Sequence, residues 1–279
     1  MVSSLLTATK GEVPTASPFD LSNETYPSIK DIWSPPMRDV DHGELWIAYP
    51  FEERYFSLDK HTRDPELAAA AKSQIALHLD AVVDEADRRG IGKVAAKWVV
   101  DELLTNATQY GQISETTKAA GMVRVEWFID QDESGPTLAV AVANPCIALF
   151  DPSRFARMES AEFFAMDNPS LNGHLGTIGV LSYVKENTTL TYLWEMASGE
   201  RVKLTMREIP ENAPDRPENY DDLMKPTQVE VFKFDVNNQP IPYSFEQFQR
   251  DIEGNVAAES VTVSCVIEGA RASAKAEGL

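Results

Sequence analysis

Glu102 and Asn106 stand four residues apart in DELLTNATQYG (Asp101 to Gly111), a segment built largely of good helix formers. At 3.6 residues per turn, that spacing puts a carboxylate and a carboxamide on one face, with Trp98 one turn before them. A carboxylate so placed can take a proton from a water or a hydroxyl. An amide oxygen one turn on can ligate Mg²⁺, a hard cation that keeps waters and leans on substrate phosphates. The pair suits metal-assisted nucleotide chemistry. An isolated ExxxN is far more often the solvated edge of an amphipathic helix, so its surroundings must supply the rest of the argument.

The elements that would position the pair are legible from periodicity. Ala96, Val99, Val100, Leu103, Leu104 and Ala107 make one apolar stripe of a helix from about Lys93 to Tyr110, ended by Gly111. Before it, Asp64-Pro65 opens a helix through ELAAAAKSQIALHLDAVVDEADRRG that stops at Gly90. ELWIAYPFEERYFSL, broken at Pro50, reads as strand, turn, strand. MVRVEWFID alternates as a strand does, ESGP turns, and TLAVAVAN is its buried partner. TTLTYLWEMA and ERVKLTMRE, joined at Ser198-Gly199, make a second strand pair. Between the pairs lie a helix-prone stretch, Pro152 to Met166, and NPSLNGHLGTIGVLSYVKEN, whose glycines precede the apolar face of a helix. Strand pairs segregated from helices predict an α+β fold, a two-layer sandwich of a mixed or antiparallel sheet covered by helices.

Residues 1–40, rich in Ser, Thr and Pro, read as an extended N-terminal arm and 41–207 as the main domain. Residues 208–226, with PENAPDRPENYDDLMKP, read as linker or lid. Residues 227–279 form a C-terminal extension holding a strand QVEVFKF, a short helix around Ser244 to Ile252 and a strand ESVTVSCVIEG.

Composition narrows the partners. A formal charge of -19 disfavours nucleic acid or an anionic membrane surface as main partner, although a local site for a small phosphate ligand can override the global sign. Apolar residues at 43% and no run of membrane-spanning length predict a soluble protein. The start carries no basic signal-like region, and the two cysteines form no CxxC or Cys/His cluster, which together predict a cytoplasmic, unexported chain. His42, His61, His78 and His174 lack metal-site spacing, and Cys146 reads as a buried, inert thiol.

ELLTNATQYG also resembles the N-box of the GHKL ATPases (gyrase, heat-shock chaperone, histidine kinase and MutL type). Glu102, Asn106, Ala107, Tyr110 and Gly111 match that motif, and within the group the chain is similar to the serine-kinase anti-sigma factors over roughly residues 65–207. The resemblance implies the histidine-kinase-like ATPase fold, with Glu102 as general base and Asn106 as Mg²⁺ ligand. It places the adenine-contacting motif at VAVANPCIALFDP. There Asn144 stands for the usual Asp, Cys146 stands for the Gly that lets the base approach, and FDP matches the anti-sigma ending. An Asn oxygen still accepts a hydrogen bond, without the charge that strengthens it.

The third motif falls at NGHLGTIGVLSYV, a Gly-rich turn at a helix start. Gly173, Gly176 and Thr177 would hold phosphates there by free N–H groups and the helix dipole, while Asn172 and His174 occupy two positions usually filled by Gly. Where the family often has Gly-Thr before its last strand, this chain has Gly199-Glu200, an acid that would repel a phosphate. Two functions stay open. One is an ATP-binding regulatory protein, with ATP and Mg²⁺ as cofactors, a regulatory protein as partner, and phosphoryl transfer to serine or a conformational response as output. The other is a catalytically inactive pseudo-ATPase that serves as a protein-binding module. A homodimer is compatible with both.

Overall fold

TLAVAVAN has no charged side chain, so it gains most where both of its faces are covered, and it folds as a strand buried on both. A computed structural model of the chain describes residues 6–8, 41–48, 79–110, 122–132, 135–153, 188–209 and 227–269. Its strands are β1 (Leu6–Ala8), β2 (Asp41–Ala48), β3 (Met122–Asp132), β4 (Gly135–Pro145), β5 (Thr188–Met196), β6 (Arg201–Glu208), β7 (Thr227–Phe234), β8 (Pro240–Ile241) and β9 (Ala258–Glu268). They form one nine-stranded sheet in the order β1-β2-β3-β4-β9-β5-β6-β7-β8, antiparallel at every pair. Among the described residues the helices are α1 (79–88), α2 (Lys93–Tyr110) and α3 (Phe245–Glu253).

The two expected strand pairs, β3–β4 and β5–β6, form as antiparallel ladders. They do not lie side by side. β9 runs between them and pairs with β4 on one edge and β5 on the other. Its alternation fits that place: Val261, Val263, Cys265 and Ile267 share one face, with Thr262, Ser264 and Val266 on the other, nearly all buried. Val125, Val142, Val263, Tyr192 and Leu204 make one row across five strands. That row belongs to a single core with Val99, Val100 and Leu103 of α2, Val82 and Val83 of α1 and Phe248 of α3. All three helices therefore pack on this face. On the opposite face Phe128, Ala139, Ala141 and Val266 form a small cluster of their own.

Local chemistry sets the ends. Gly199 (φ +81) turns β5 into β6, and Asn238 (φ +61) sits in the β7–β8 turn, where Asp235 Oδ1 accepts from the amides of Asn237 and Gln239 at 2.9 and 2.7 Å. Ser244 caps α3 in a reciprocal capping box with Gln247. Gly43 on β2 has no room for a side chain, since a Cβ there would lie 2.1 Å from the Trp127 ring.

The expectation of an α+β sandwich covered by helices, in the histidine-kinase-like ATPase fold, is corrected. The molecule is sheet-dominated, with half of the described residues in strands, 28% in helices and every strand pair antiparallel. Width explains the difference. Nine strands about 4.8 Å apart span about 38 Å, whereas a helix covers only about 10 Å. Among the described residues α2 lies on β4 and β9 and α3 reaches β7, so one sheet outspans any single helix packed on it. Short-range periodicity revealed the longer strands, missed the short β1 and β8, and could not reveal that one sheet gathers all of them.

The central place of β9 has a direct consequence. A chain ending at residue 226 loses the strand that joins β4 to β5, along with α3, and is expected to show no cooperative transition in urea where the full chain gives a single sigmoid. Native-like circular dichroism with a sharp transition in the shortened chain would show that the two strand pairs hold without β9.

Candidate functional site

α2 begins where the chain reverses sharply after α1. Gly90 takes φ +96, and Asp87 Oδ1 accepts from the Lys93 amide at 3.0 Å, satisfying one open donor at the helix start. The stripe read from the sequence (Ala96, Val99, Val100, Leu103, Leu104, Ala107) is buried throughout. On the exposed side, Lys93 pairs with Asp84 at 2.6 Å and Lys97 with Asp80 and Asp101 at 3.5 Å, surface contacts of small energetic weight.

Trp98, Glu102 and Asn106 flank the stripe and are each half-buried. Burial holds the Glu102 carboxyl above the ordinary glutamate range; the hydrogen bond from Trp98 opposes this shift, and the charge of Asp101 adds to it. The carboxylate is thus on the helix face expected, is made more basic than in water, and is oriented by an indole one turn away.

Asn144 ends the buried run of β4, on the helix-covered face with Val142 and Val140. It is 4% exposed, and its Nδ2 donates to the Pro145 carbonyl at 2.9 Å. That bond fixes the amide so that Oδ1 is the acceptor left over, and Oδ1 receives no donor among the described residues. α2 starts beside the Pro136 end of β4, close to Gly90, and packs on that strand. With a rise of 1.5 Å per helical residue, Asn106 lies about 20 Å beyond the helix start, and Asn144 lies about 27 Å along β4 from Pro136. Both sit toward the same end of the strand.

Past Asn144 the chain is held against the start of β9. Cys146 N donates to Glu259 O at 3.0 Å, Leu149 N to Val256 O at 3.3 Å, and Ala258 N to Ile147 O at 3.1 Å. Burial pushes the Cys146 thiol up to about 11, and its Sγ donates to Ala148 O at 3.0 Å, so it is a neutral packing group at pH 7. In the FDP stretch, Asp151 Oδ1 accepts from the Ser153 amide at 2.9 Å and from its hydroxyl at 2.5 Å, the geometry of a helix-start cap.

Glu200 is neutralised where it stands. Lys233 Nζ lies 3.0 Å from its carboxylate, Ser198 Oγ donates to it at 3.0 Å, and Lys233 holds its carboxyl below the usual range. The same lysine lies 5.6 Å from the centre of the Tyr243 ring, and the Tyr243 hydroxyl, pushed up mainly by burial, donates to Asp251 at 2.8 Å. This network ties the β5–β6 turn to β7 and α3.

Gly173, Gly176 and Thr177 lie outside the described residues, as does the helix expected after them. Among the described residues no group of three or more His, Cys, Asp or Glu could hold a metal ion, and no helix is long and apolar enough to cross a membrane. The structure brings Glu102, Trp98 and Asn106 to one side of α2 and sets Asn144 at the end of the strand beneath. Sequence reading missed the charged trio on the opposite face, where Arg124 bridges Glu44 and Glu126, each at 3.0 Å, although the same-face spacing of Arg124 and Glu126 in MVRVEWFID carried that signal. It also missed Trp194, which no local signal marks. No protein-family model, curated protein or solved structure matches the chain.

The Glu102 geometry fixes a pH dependence. Its folded pKa is raised above 4.5, so the stability it contributes is complete below that value and is lost as pH rises through the folded pKa. Glu102→Gln, which cannot ionise, should gain on wild type across that window and hold a constant margin above it, as read from urea midpoints at a series of pH values. Parallel curves would put the carboxyl in bulk water.

Asn144→Asp should lower stability by about 3 kcal/mol. It removes the donor to Pro145 O and sets a buried carboxylate against that carbonyl. A midpoint equal to wild type would mean that the position is open to water.

Proposed function

We propose that the protein is an ATP-binding regulatory protein of the cytoplasm, with the adenine amino group donating to Asn144, Asn106 ligating Mg²⁺ and Glu102 positioned to activate a hydroxyl. The observation that carries this reading is Asn144: a nearly fully buried amide whose nitrogen is committed to Pro145 O, leaving an oriented acceptor at the strand end nearest Asn106. Support also comes from the N-box letters of α2 and from Glu102, whose raised pKa moves a carboxylate toward the range in which it serves as a base at neutral pH. The pairing of Glu200 with Lys233 removes a repulsion that would otherwise oppose a phosphate.

The second reading is a catalytically inactive module that binds a regulatory protein partner. One observation favours it. Cys146 fills the position where a glycine would let a base approach, in a segment hydrogen-bonded to the start of β9.

Calorimetric titration with Mg²⁺-ATP separates the two. The expected result is saturable binding with Kd nearer ~100 μM than ~1 μM, a deficit of about 2.7 kcal/mol that combines a neutral acceptor in place of a charged one with the Cys146 side chain where a glycine would let the base approach. In the same assay Glu102→Ala should keep its affinity while losing about 10²- to 10⁴-fold in phosphoryl transfer or hydrolysis. Asn106→Ala should weaken binding only when Mg²⁺ is present. No saturable heat at millimolar ATP would leave the protein-binding module as the surviving reading.

A further inference from the structure

Both edges of the sheet end on very short strands, β1 with three residues and β8 with two. Short edge strands guard a sheet against pairing with other chains. The two guards are attached differently. β8 follows β7 through a tight turn, in which Asp235 N donates to Gln239 O and Asn238 N to Asp235 O, each at 2.9 Å. It opens on Pro240, which has no N–H to offer a further strand. A strand tied so closely cannot leave its partner without undoing the turn.

β1 reaches its partner from far along the chain. Leu6, Thr7 and Ala8 register with Ile47, Trp46 and Leu45, three of the eight residues of β2. Residues 9–40 separate the two strands in sequence, enough chain to span about 100 Å at full extension. A ladder of three residues makes few hydrogen bonds and is marginal by itself. β2 does not depend on it, because all eight of its residues, Asp41 to Ala48, pair with Ile129 to Met122 of β3. Release of β1 therefore breaks one short ladder and leaves the next one whole.

We propose that the outer edge of β2 is a strand-exchange site, occupied by β1 of the same chain in the monomer and by β1 of a second copy in a reciprocal dimer. A second copy is the fitting occupant because it brings the same residues 6–8, so the pairings of Leu6 with Ile47, Thr7 with Trp46 and Ala8 with Leu45 are reproduced unchanged. Exchange makes and breaks the same contacts, and concentration decides between the two forms. The strand competes in cis at an effective concentration of about 1 mM, which sets the scale for dimerisation. The site is independent of the nucleotide reading, since β2 stands two strands from β4, where Asn144 lies.

The test uses the full chain. Thr7→Cys puts a thiol on β1 that can be labelled with a benzophenone, Cys146 and Cys265 both being buried. Labelled chains grown in light and in heavy isotope are mixed, irradiated and searched for cross-links from residue 7 to residues 45–47. Between about 10 μM and about 1 mM protein, the share of links that join a light chain to a heavy one should rise at least tenfold. Sedimentation of the unmodified chain, which needs no variant, should show a monomer at the lower concentration and a reversible dimer growing toward the higher. An excess of the peptide MVSSLLTATK, residues 1–10, should reduce that dimer. Links confined to chains of one label at every concentration would overturn the proposal, because β1 would then never leave its own β2. A chain that stays monomeric throughout, or a dimer without light–heavy links, would overturn it as well.

Discussion

The double pairing of β9 is the interaction on which the rest of the structure depends. Without it, β4 and β5 would each present a row of unpaired N–H and C=O groups along a strand buried on its faces, and such edges are costly and prone to wrong pairing. With it, two separate strand pairs become one sheet. β9 also brings apolar mass to the middle, since Val261, Val263, Cys265, Val266 and Ile267 are all buried, each large apolar side chain being worth about 1.5–3 kcal/mol against exposure. The cost lies in chain entropy, because β9 meets β4 across roughly a hundred residues; closure entropy grows only with the logarithm of that length, so the burial outweighs it.

Once β9 is in place, the two faces of the sheet take different roles. The helix-covered face is an almost unbroken apolar core from α1 and α2 to Phe248 of α3, with buried polar residues at both ends of the strands, Asn144 at one and Thr188 and Glu208 at the other. The other face carries Thr191, Thr262 and Ser264 on the central strands, and the Glu44–Arg124–Glu126 trio toward β2. On that trio, cross-strand register sets Glu44 directly opposite Glu126, a like-charge pairing that Arg124 offsets by reaching both carboxylates at 3.0 Å.

The candidate site inherits its rigidity from the same arrangement. α2 is fixed by a buried stripe, so Glu102 and Asn106 are held by packing they take little part in, and Trp98 orients the carboxylate from the preceding turn. Asn144 is fixed by its bond to Pro145 O at the end of a strand paired on both sides. The β5–β6 turn, where Glu200 sits, is steadied by Lys233 from β7, the lysine being stacked in turn on Tyr243.

The sequence by itself determined the pieces whose causes are local. The stripe of α2, the both-face burial of β4, the turn at Gly199 and the Ser244 cap of α3 each follow from periodicity, backbone freedom or capping within a few residues, and the Glu102–Asn106 half of the site was legible for the same reason. Only the tertiary structure decided the order of the strands. Several segments share the same alternation and could pair in many ways, so the place of β9 depends on free energies summed over contacts far apart in sequence. Everything built on that order was silent in the sequence: the single sheet in place of a helix-covered sandwich, the union of Glu200 with Lys233, and the row that Asn144 and Trp194 share through Val261. A motif of ten residues records which chemistry a helix could carry, and the strands that lie beneath it are chosen by the whole chain.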